Sequence, residues 1–234
     1  MTGRSSFREE NHSPCPCKRN PFIFLHKTNK EGKMVIPKPS ISFQLLGANV
    51  RLGAGTVAEV GPAFQAAGVR KVLIVTDGGV ARAGLLQPVR KSLEEAKISF
   101  ETFDRVEPNP SDRTVMEGVQ IFQRTGCNAI LGVGGGSPLD ASKAIQVMTS
   151  HPGEIHEYYG PAAASKITRP RPYLIAVPTT SGTGSEVSRG SVITDTRTNT
   201  KSVIRTGPAN LAVIDPEMTL TMPPSLTAAT GMDA

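Results

Sequence analysis

Asn128-Ala-Ile-Leu-Gly-Val-Gly-Gly-Gly-Ser-Pro-Leu-Asp-Ala-Ser-Lys-Ala144 is the stretch that sets the fold of this chain. Its apolar run, Ala129 to Val133, breaks at Gly134-Gly135-Gly136, and Ser137 and Pro138 then open a segment of helical character reaching about Thr149. The order is strand, glycine turn, helix. Ser137 has the chemistry of an N-cap, Pro138 suits the first helical position, and Asp140 has the spacing of a capping box. Glycines permit a sharp turn and let a ligand approach the backbone. The unpaired N–H groups of a first helical turn, with the helix dipole behind them, favour an anion, and a phosphate or pyrophosphate is the natural guest. A tight turn that needs glycine only for its shape is the plainer alternative. Gly132, Gly134 and Ser137 lack the third glycine of the usual dinucleotide fingerprint, and no Gly-Lys-Ser/Thr of a Walker loop follows.

Outward from this stretch, strand and helix signals alternate. Ile41 to Leu46 and Asn49 to Leu52 read as a β ribbon around Gly47, and Thr56 to Ala67 as a helix closed by Gly68. Lys71 to Thr76 is a buried-type strand ending at Asp77-Gly-Gly, followed by a helix over Leu86 to Ala96 and an amphipathic strand over Ile98 to Phe103. Asp112 to Thr125 is a helix stopped by Gly126. Beyond the glycine turn, Tyr173 to Val177 is another buried-type strand, Ser191 to Thr194 and Ser202 to Ile204 form a hairpin, and Leu211 to Ile214 is a short strand. Buried strands alternating with helices predict an α/β fold: a doubly wound, mostly parallel sheet. Ligands of such sheets lie beyond the carboxyl ends of strands, near a topological switch. Asp77, Ser137 and Thr179 all fall just past a strand end.

Composition narrows the function classes. The chain of 234 residues has a net charge of +6, no tryptophan and 38% hydrophobic residues, a globular composition with no apolar run of the ~18 residues a membrane span needs. Most of the charge sits in residues 1–33, a polar, proline-bearing extension with no periodicity, read as disordered or artefactual, with Met34 opening the globular part. The body of the chain is nearly balanced and shows no clustered basic face, which argues against nucleic acid. Cys15, Cys17 and Cys127 are an odd number with no disulfide framework, which fits a reducing cytoplasm.

Asp77 could accept the hydroxyls of an adenosine ribose and repel a 2′-phosphate, or simply serve a turn. The loop Thr179 to Glu186 packs hydroxyls and glycines that suit phosphate or nicotinamide contact, although a polar surface loop has the same composition. Lys201 is either a phosphate or ribose contact or a solvated hairpin lysine. His151 and His156 have no metal-binding partner at helical spacing, and no G-x-S-x-G elbow supports a serine hydrolase. No catalytic residue is assigned.

Several segments resemble one family. Gly134-Gly-Gly-Ser-Pro-Leu-Asp140 with Lys143-Ala144, Pro178-Thr-Thr-Ser-Gly-Thr-Gly-Ser-Glu186, Val192-Ile-Thr-Asp195 and Ala228-Ala-Thr-Gly-Met-Asp-Ala234 are similar to the iron-containing alcohol dehydrogenases, as are Val106-Glu-Pro-Asn-Pro110 and Val213-Ile-Asp-Pro216. The resemblance implies an α/β cofactor domain over 34–222 and, from 223–234, the start of an all-helical metal-binding domain. It implies hydride transfer between NAD or NADP and an alcohol or aldehyde, a dehydroquinate synthase-like fold and a homo-oligomer at full length. By the same resemblance, Asp77 would contact the ribose, and Gly135, Gly136, Ser137 and Asp140 would surround the pyrophosphate. Thr179, Thr180 and Thr183 would lie along the phosphates and nicotinamide, with Lys201 nearby and Asn109 and Ser188 in the same cleft. Asp233 would be the first ligand of a divalent metal, Fe²⁺ or Zn²⁺. The family's three metal-site histidines have no counterpart before Ala234, so the chain reads as a truncated, inactive cofactor half. A maleylacetate reductase or glycerol dehydrogenase-like enzyme, or a non-catalytic dinucleotide-binding module, are the alternatives.

Overall fold

The computed structural model describes residues 40–234 and, apart from them, the backbone of two short antiparallel strands, β1 (Lys27–Thr28) and β2 (Met34–Val35). The remaining residues before 40, and with them the expectation for 1–33, lie outside the described residues. Lys38–Ala234 is one compact unit and is described by itself below.

Its centre is a seven-stranded sheet in the order β3-β4-β11-β8-β7-β5-β6. The strands are β3 (Ile41–Leu45), β4 (Ala48–Leu52), β5 (Lys71–Val75), β6 (Ser99–Phe103), β7 (Ala129–Gly134), β8 (Tyr173–Pro178) and β11 (Leu211–Ile214). Only β3 runs antiparallel, to β4; every other pairing is parallel. β9 (Ser191–Asp195) and β10 (Thr200–Ile204) form a separate antiparallel ribbon. The doubly wound, mostly parallel α/β fold is as the alternation predicts.

The period-two geometry of a strand explains the two cores. Val72 and Ile74 of β5 point to one face and pack with Phe64, Val89, Leu93 and Val133, carried partly by α1 (Val60–Ala66) and α3 (Leu86–Glu95). Leu73 and Val75 point to the other face and pack with Val115, Val119, Leu139 and Ile145 of α4 (Asp112–Thr125) and α5 (Gly136–Met148). β7 is buried at every residue, as a strand covered on both faces must be.

Helix ends follow local chemistry where it is strong. Ser111 caps α4, its hydroxyl accepting from Thr114 N at 3.2 Å, and Gly126 closes it in the left-handed region at φ 69°. The start of α5 corrects the sequence reading. The N-cap is Gly135, no side chain caps the helix, and Ser137 already lies within it. Gly134, at φ +147°, turns the chain so early that helical geometry begins at Gly136. The Ser137–Asp140 capping box therefore does not form. A short helix, α2 (Gly78–Arg82), also follows Asp77, and a 3₁₀ turn over Thr56–Glu59 replaces the first part of the expected helix there.

Winding starts at β5, moves out to β6 at the sheet edge, then returns past β5 to β7 and continues to β8 and β11. The connections leaving β5 and β7 thus run to opposite sides, and a crevice opens between their carboxyl ends.

α1 and α3 meet at backbone distance. Gly61 N donates to Ser92 Oγ at 2.9 Å, and a Cβ on Gly61 would collide with the Ser92 carbonyl. Gly61→Ala is expected to lose about 1–3 kcal/mol of stability through overpacking. Urea unfolding with an unchanged m-value checks this, and an unshifted midpoint would refute it.

Candidate functional site

The crevice is a cavity of about 600 Å³, within the ~300–1,000 Å³ of small-molecule sites. Its floor is the glycine turn with Gly135, Ser137 and Pro138. One wall is Asp77 with α2, a second is Val106, Glu107 and Pro108, and a third is Thr179 and Thr180 after β8. Thr221, Met222, Pro223 and Leu226, the last from α6 (Pro224–Asp233), form the outer wall.

Asp77 is the N-cap of α2. Its Oδ1 accepts from Gly79 N at 2.7 Å and Val80 N at 2.9 Å, while Oδ2 faces the glycine turn, 3.5 Å from where a Cβ on Gly134 would stand. The turn and ligand roles left open by the sequence are therefore compatible: Oδ1 serves the turn and leaves Oδ2 outside it.

The glycine turn is hemmed in by the loop after β8. A Cβ on Gly135 would lie 3.2 Å from Thr180 Oγ1, and one on Gly136 would lie 3.3 Å from Thr183 Cγ2. Thr180 Oγ1 is buried and has no hydrogen-bond partner among the described residues. A buried hydroxyl without a partner costs roughly 1–3 kcal/mol, so this atom marks a place where a ligand can repay the cost. Asn109, at φ 57°, donates its N–H to Ser137 Oγ at 3.1 Å. It braces the floor from behind, while its neighbours Glu107 and Pro108 line the cavity.

Asp140 and Ser188 face away from the cavity into a buried polar cluster. Asp140 Oδ2 accepts from Val192 N at 2.9 Å, and its Oδ1 lies 3.2 Å from Lys143 Nζ. Lys143 Nζ donates to Ser188 Oγ at 2.8 Å and to the Gly190 carbonyl at 2.5 Å. At 1% exposure, Lys143 holds helix α5 and the loop before β9 together through one ammonium group, and Asp140 ties in β9 through Val192. Burial pushes its pKa down, opposed by the charge of Asp140. Lys143 was missed as a site-organising residue. The available signal was a lysine amid Ala141, Ser142, Ala144 and Ile145, one helical turn from an aspartate.

Lys201 is exposed on β10, opposite Thr194, and does not line the cavity. Asp233 is exposed on α6, its Cβ 2.8 Å from where a Cβ on Gly182 would stand. Among the described residues no three His, Cys, Asp or Glu side chains come together to hold a metal ion. One carboxylate does not select a transition metal over water, so the residues present do not fit that group by themselves. No helix among the described residues is long and apolar enough to cross a membrane. His151, buried, contacts the Val147 carbonyl through Nδ1 at 3.0 Å and accepts from Arg169 N through Nε2, a structural role with no ligand position left.

Glu107 braces the second wall. Its carboxylate accepts from Ser111 N at 2.9 Å and from Thr114 Oγ1 at 2.6 Å, the latter at the first turn of α4. Burial raises its pKa, but the bonds from Thr114 and Ser111 outweigh this and hold it below the usual carboxylate value.

A strand-end crevice with a glycine turn, a carboxylate facing that turn and a threonine hydroxyl unpartnered among the described residues belongs to a Rossmann-like α/β domain. The chain belongs to the iron-containing alcohol dehydrogenase family, whose model matches residues 47–216. It is 42% identical over 189 residues to a choline dehydrogenase of Bacillus subtilis (strain 168), covering 79% of this chain and 46% of that protein. Among solved structures, a 1,3-propanediol oxidoreductase superposes with TM-score 0.75 at 38% identity, over 84% of this chain and 50% of its own. A sulfoacetaldehyde reductase from Bifidobacterium kashiwanohense, solved in complex with NAD+, superposes with TM-score 0.73 at 31% identity, over 82% and 51%. The chain thus spans about half the length of these relatives.

Two outcomes are expected. Lys143→Met leaves the Asp140 carboxylate buried without its counter-charge and should cost about 3–5 kcal/mol, while Asp140→Leu/Lys143→Met together recover most of it. Denaturant midpoints of the three proteins check this; equal losses in single and double variants would refute it. For Glu107, the folded pKa lies below the unfolded value, so its contribution is present above pH 4.5 and is lost as pH falls through the folded value. Glu107→Gln should flatten that acid limb of the stability profile.

Proposed function

We propose that residues 34–222 are the cofactor domain of an NAD-dependent alcohol dehydrogenase acting on a small alcohol or aldehyde, and that residues 223–234 begin its helical domain. The observation that carries this reading is Thr180 Oγ1, a buried hydroxyl without a partner, at the wall of a crevice floored by the α5 glycine turn. The fit to a dinucleotide is supported by close packing: a Cβ on Gly134 would fall 2.6 Å from Pro138 Cγ, and Cβ atoms on Gly135 and Gly136 would press on Thr180 and Thr183. Pro138, Thr180 and Thr183 require glycine there, and the bare backbone that results can be approached closely by a pyrophosphate.

In this reading the first-turn N–H groups of α5, which no side chain caps, take the pyrophosphate. Asp77 Oδ2 accepts the adenosine ribose hydroxyls. Thr179 and Thr180 orient the nicotinamide half, and Thr183 packs behind Gly136. Ser137 is held in place by the Asn109 N–H, so the floor is set before the ligand arrives. Lys143 and Asp140 position the loop before β9 and touch no cofactor. Bound NAD supplies the hydride acceptor for an alcohol carbon. The outer apolar wall of Met222, Pro223 and Leu226 excludes water from the cleft. In the whole protein a divalent metal, Fe²⁺ or Zn²⁺, would take Asp233 as its first ligand and would need further ligands beyond it.

The chain has no tryptophan, so the cofactor's own fluorescence reports binding cleanly. NADH should bind, and Thr180→Val should weaken it by about 3–10-fold, the worth of one hydrogen bond. The same substitution removes an unsatisfied buried hydroxyl, so the ligand-free protein should keep or gain stability, by up to about 1 kcal/mol. An unchanged NADH affinity in Thr180→Val, or no NADH binding by the parent chain, overturns the reading.

A further inference from the structure

We infer that Arg82 lets this cleft accept a 2′-phosphorylated dinucleotide, NADP(H), alongside NAD(H), despite the carboxylate of Asp77. The inference rests on the dinucleotide site proposed above and adds to it a residue that sets cofactor specificity.

Arg82 is the last residue of α2, and Asp77 is the cap at the other end of the same helix. The arginine side chain runs back along the helix toward that cap. Its Nη1 lies 3.0 Å, and its Cζ 3.8 Å, from where a Cβ on Gly78 would stand. Gly78 therefore leaves room for a guanidinium beside Asp77, and both residues line the cavity. Among the described residues Arg82 forms no ion pair within 4.0 Å and no side-chain hydrogen bond. The neighbouring Arg90 and Arg105, by contrast, engage Thr102 and Glu117. An unpaired guanidinium at the ribose end of a nucleotide cleft has its five donors available.

The two charges answer different chemistry. A carboxylate at this position accepts ribose hydroxyls, whereas an arginine nearby accommodates a 2′-phosphate. Sites with the carboxylate alone reject the phosphate by like-charge repulsion. Here Asp77 Oδ1 is already engaged by the Gly79 and Val80 N–H groups, which spread its negative charge. Arg82 supplies a full positive charge within one residue's reach of that carboxylate, and its planar fork can bind a phosphate through two donors. Arg82 thus offsets the charge of Asp77 at this end of the cavity. A 2′-hydroxyl meets Asp77 Oδ2 and a 2′-phosphate meets Arg82.

Titration of the 234-residue chain with NADH and with NADPH, read by cofactor fluorescence, tests this. The parent chain should bind the two within about tenfold of one another, and NADPH binding should fall more steeply with salt because it carries the added phosphate charge. Arg82→Gln should shift the NADPH-to-NADH affinity ratio against NADPH by about tenfold or more, while Arg82→Lys, a point charge without the fork, should shift it by only about threefold. Adenosine 2′-monophosphate should displace NADPH better than adenosine from the parent chain, a comparison that holds even if a variant fails to fold. Selective NADH binding with NADPH weaker by more than about 100-fold overturns the role of Arg82 and leaves the dinucleotide site standing. A ratio unchanged in Arg82→Gln, or equal displacement by the two adenosine compounds, does the same. Binding of neither dinucleotide overturns the site itself, and this inference with it.

Discussion

Helix α5 is buried on every side from Pro138 to Met148, and the site follows from that burial. The helix lies so close to β7 that a Cβ on Gly132 would come within 2.5 Å of Ser142 Oγ, so the strand must be bare opposite the helix. A fully buried helix cannot keep a solvated polar face, yet Asp140, Ser142, Lys143 and Gln146 all lie on it. Each must find its partners within the protein, because an unpaired buried charge or amide costs more than the fold can spare. Gln146 Nε2 donates to the Pro172 carbonyl at 2.7 Å, Ser142 Oγ to the Leu139 carbonyl at 2.7 Å, and Lys143 reaches the loop before β9. The polar residues of α5 thereby become the fixings of the segments around it. The glycine turn that opens the helix inherits their rigidity.

This separates two kinds of polar residue that look alike in the sequence. Asp140 and Ser188 bond to other residues and take no part in the cavity surface, although Asp140 stands in the same motif segment as Ser137. Thr180 is the opposite case, a buried hydroxyl left without a partner. Position rather than satisfaction separates the two: Thr180 lines the cavity, whereas Asp140, whose Oδ1 likewise lacks a hydrogen-bond partner, lies 3.2 Å from Lys143 Nζ inside the polar cluster.

The architecture was legible because its signals are local. Val72 to Val75 and Ala129 to Val133 are too continuously apolar to be half-exposed strands, and Ser111 and Gly126 mark the two ends of α4 through backbone geometry that needs no distant partner. Ser137 and Asp140 failed as a capping box for the converse reason. Their spacing is right, but the turn at Gly134 puts Ser137 inside the helix, and its oxygen and that of Asp140 accept instead from Asn109 and Val192, 28 and 52 residues away. Lys143 was legible only as part of a family motif, since its partners Ser188 and Gly190 are 45 and 47 residues distant. The sequence leaves Lys201 open between a ligand contact and a solvated hairpin lysine, and the β9–β10 ribbon, which stands apart from the main sheet, carries it at the surface.

The two sides of the crevice differ in how firmly they are held, and this bears on where affinity arises. The inner side is built from strand ends and the start of a buried helix, with its backbone locked by the Thr179 N–H to the Gly134 carbonyl at 3.0 Å. The outer side is α6, of whose residues only Thr230 is buried, while Met232 and Leu226 are 88% and 42% exposed. Its link to the loop after β8 includes a 3.4 Å contact from Ser181 Oγ to Thr230 Oγ1, at the long end of a hydrogen bond. Elements with few buried apolar contacts open at low free-energy cost. On the proposed reading, the polar, orientation-setting contacts of a dinucleotide would fall on the preorganised inner wall, where they cost least to form. The outer wall contributes apolar cover, which needs area more than exact placement.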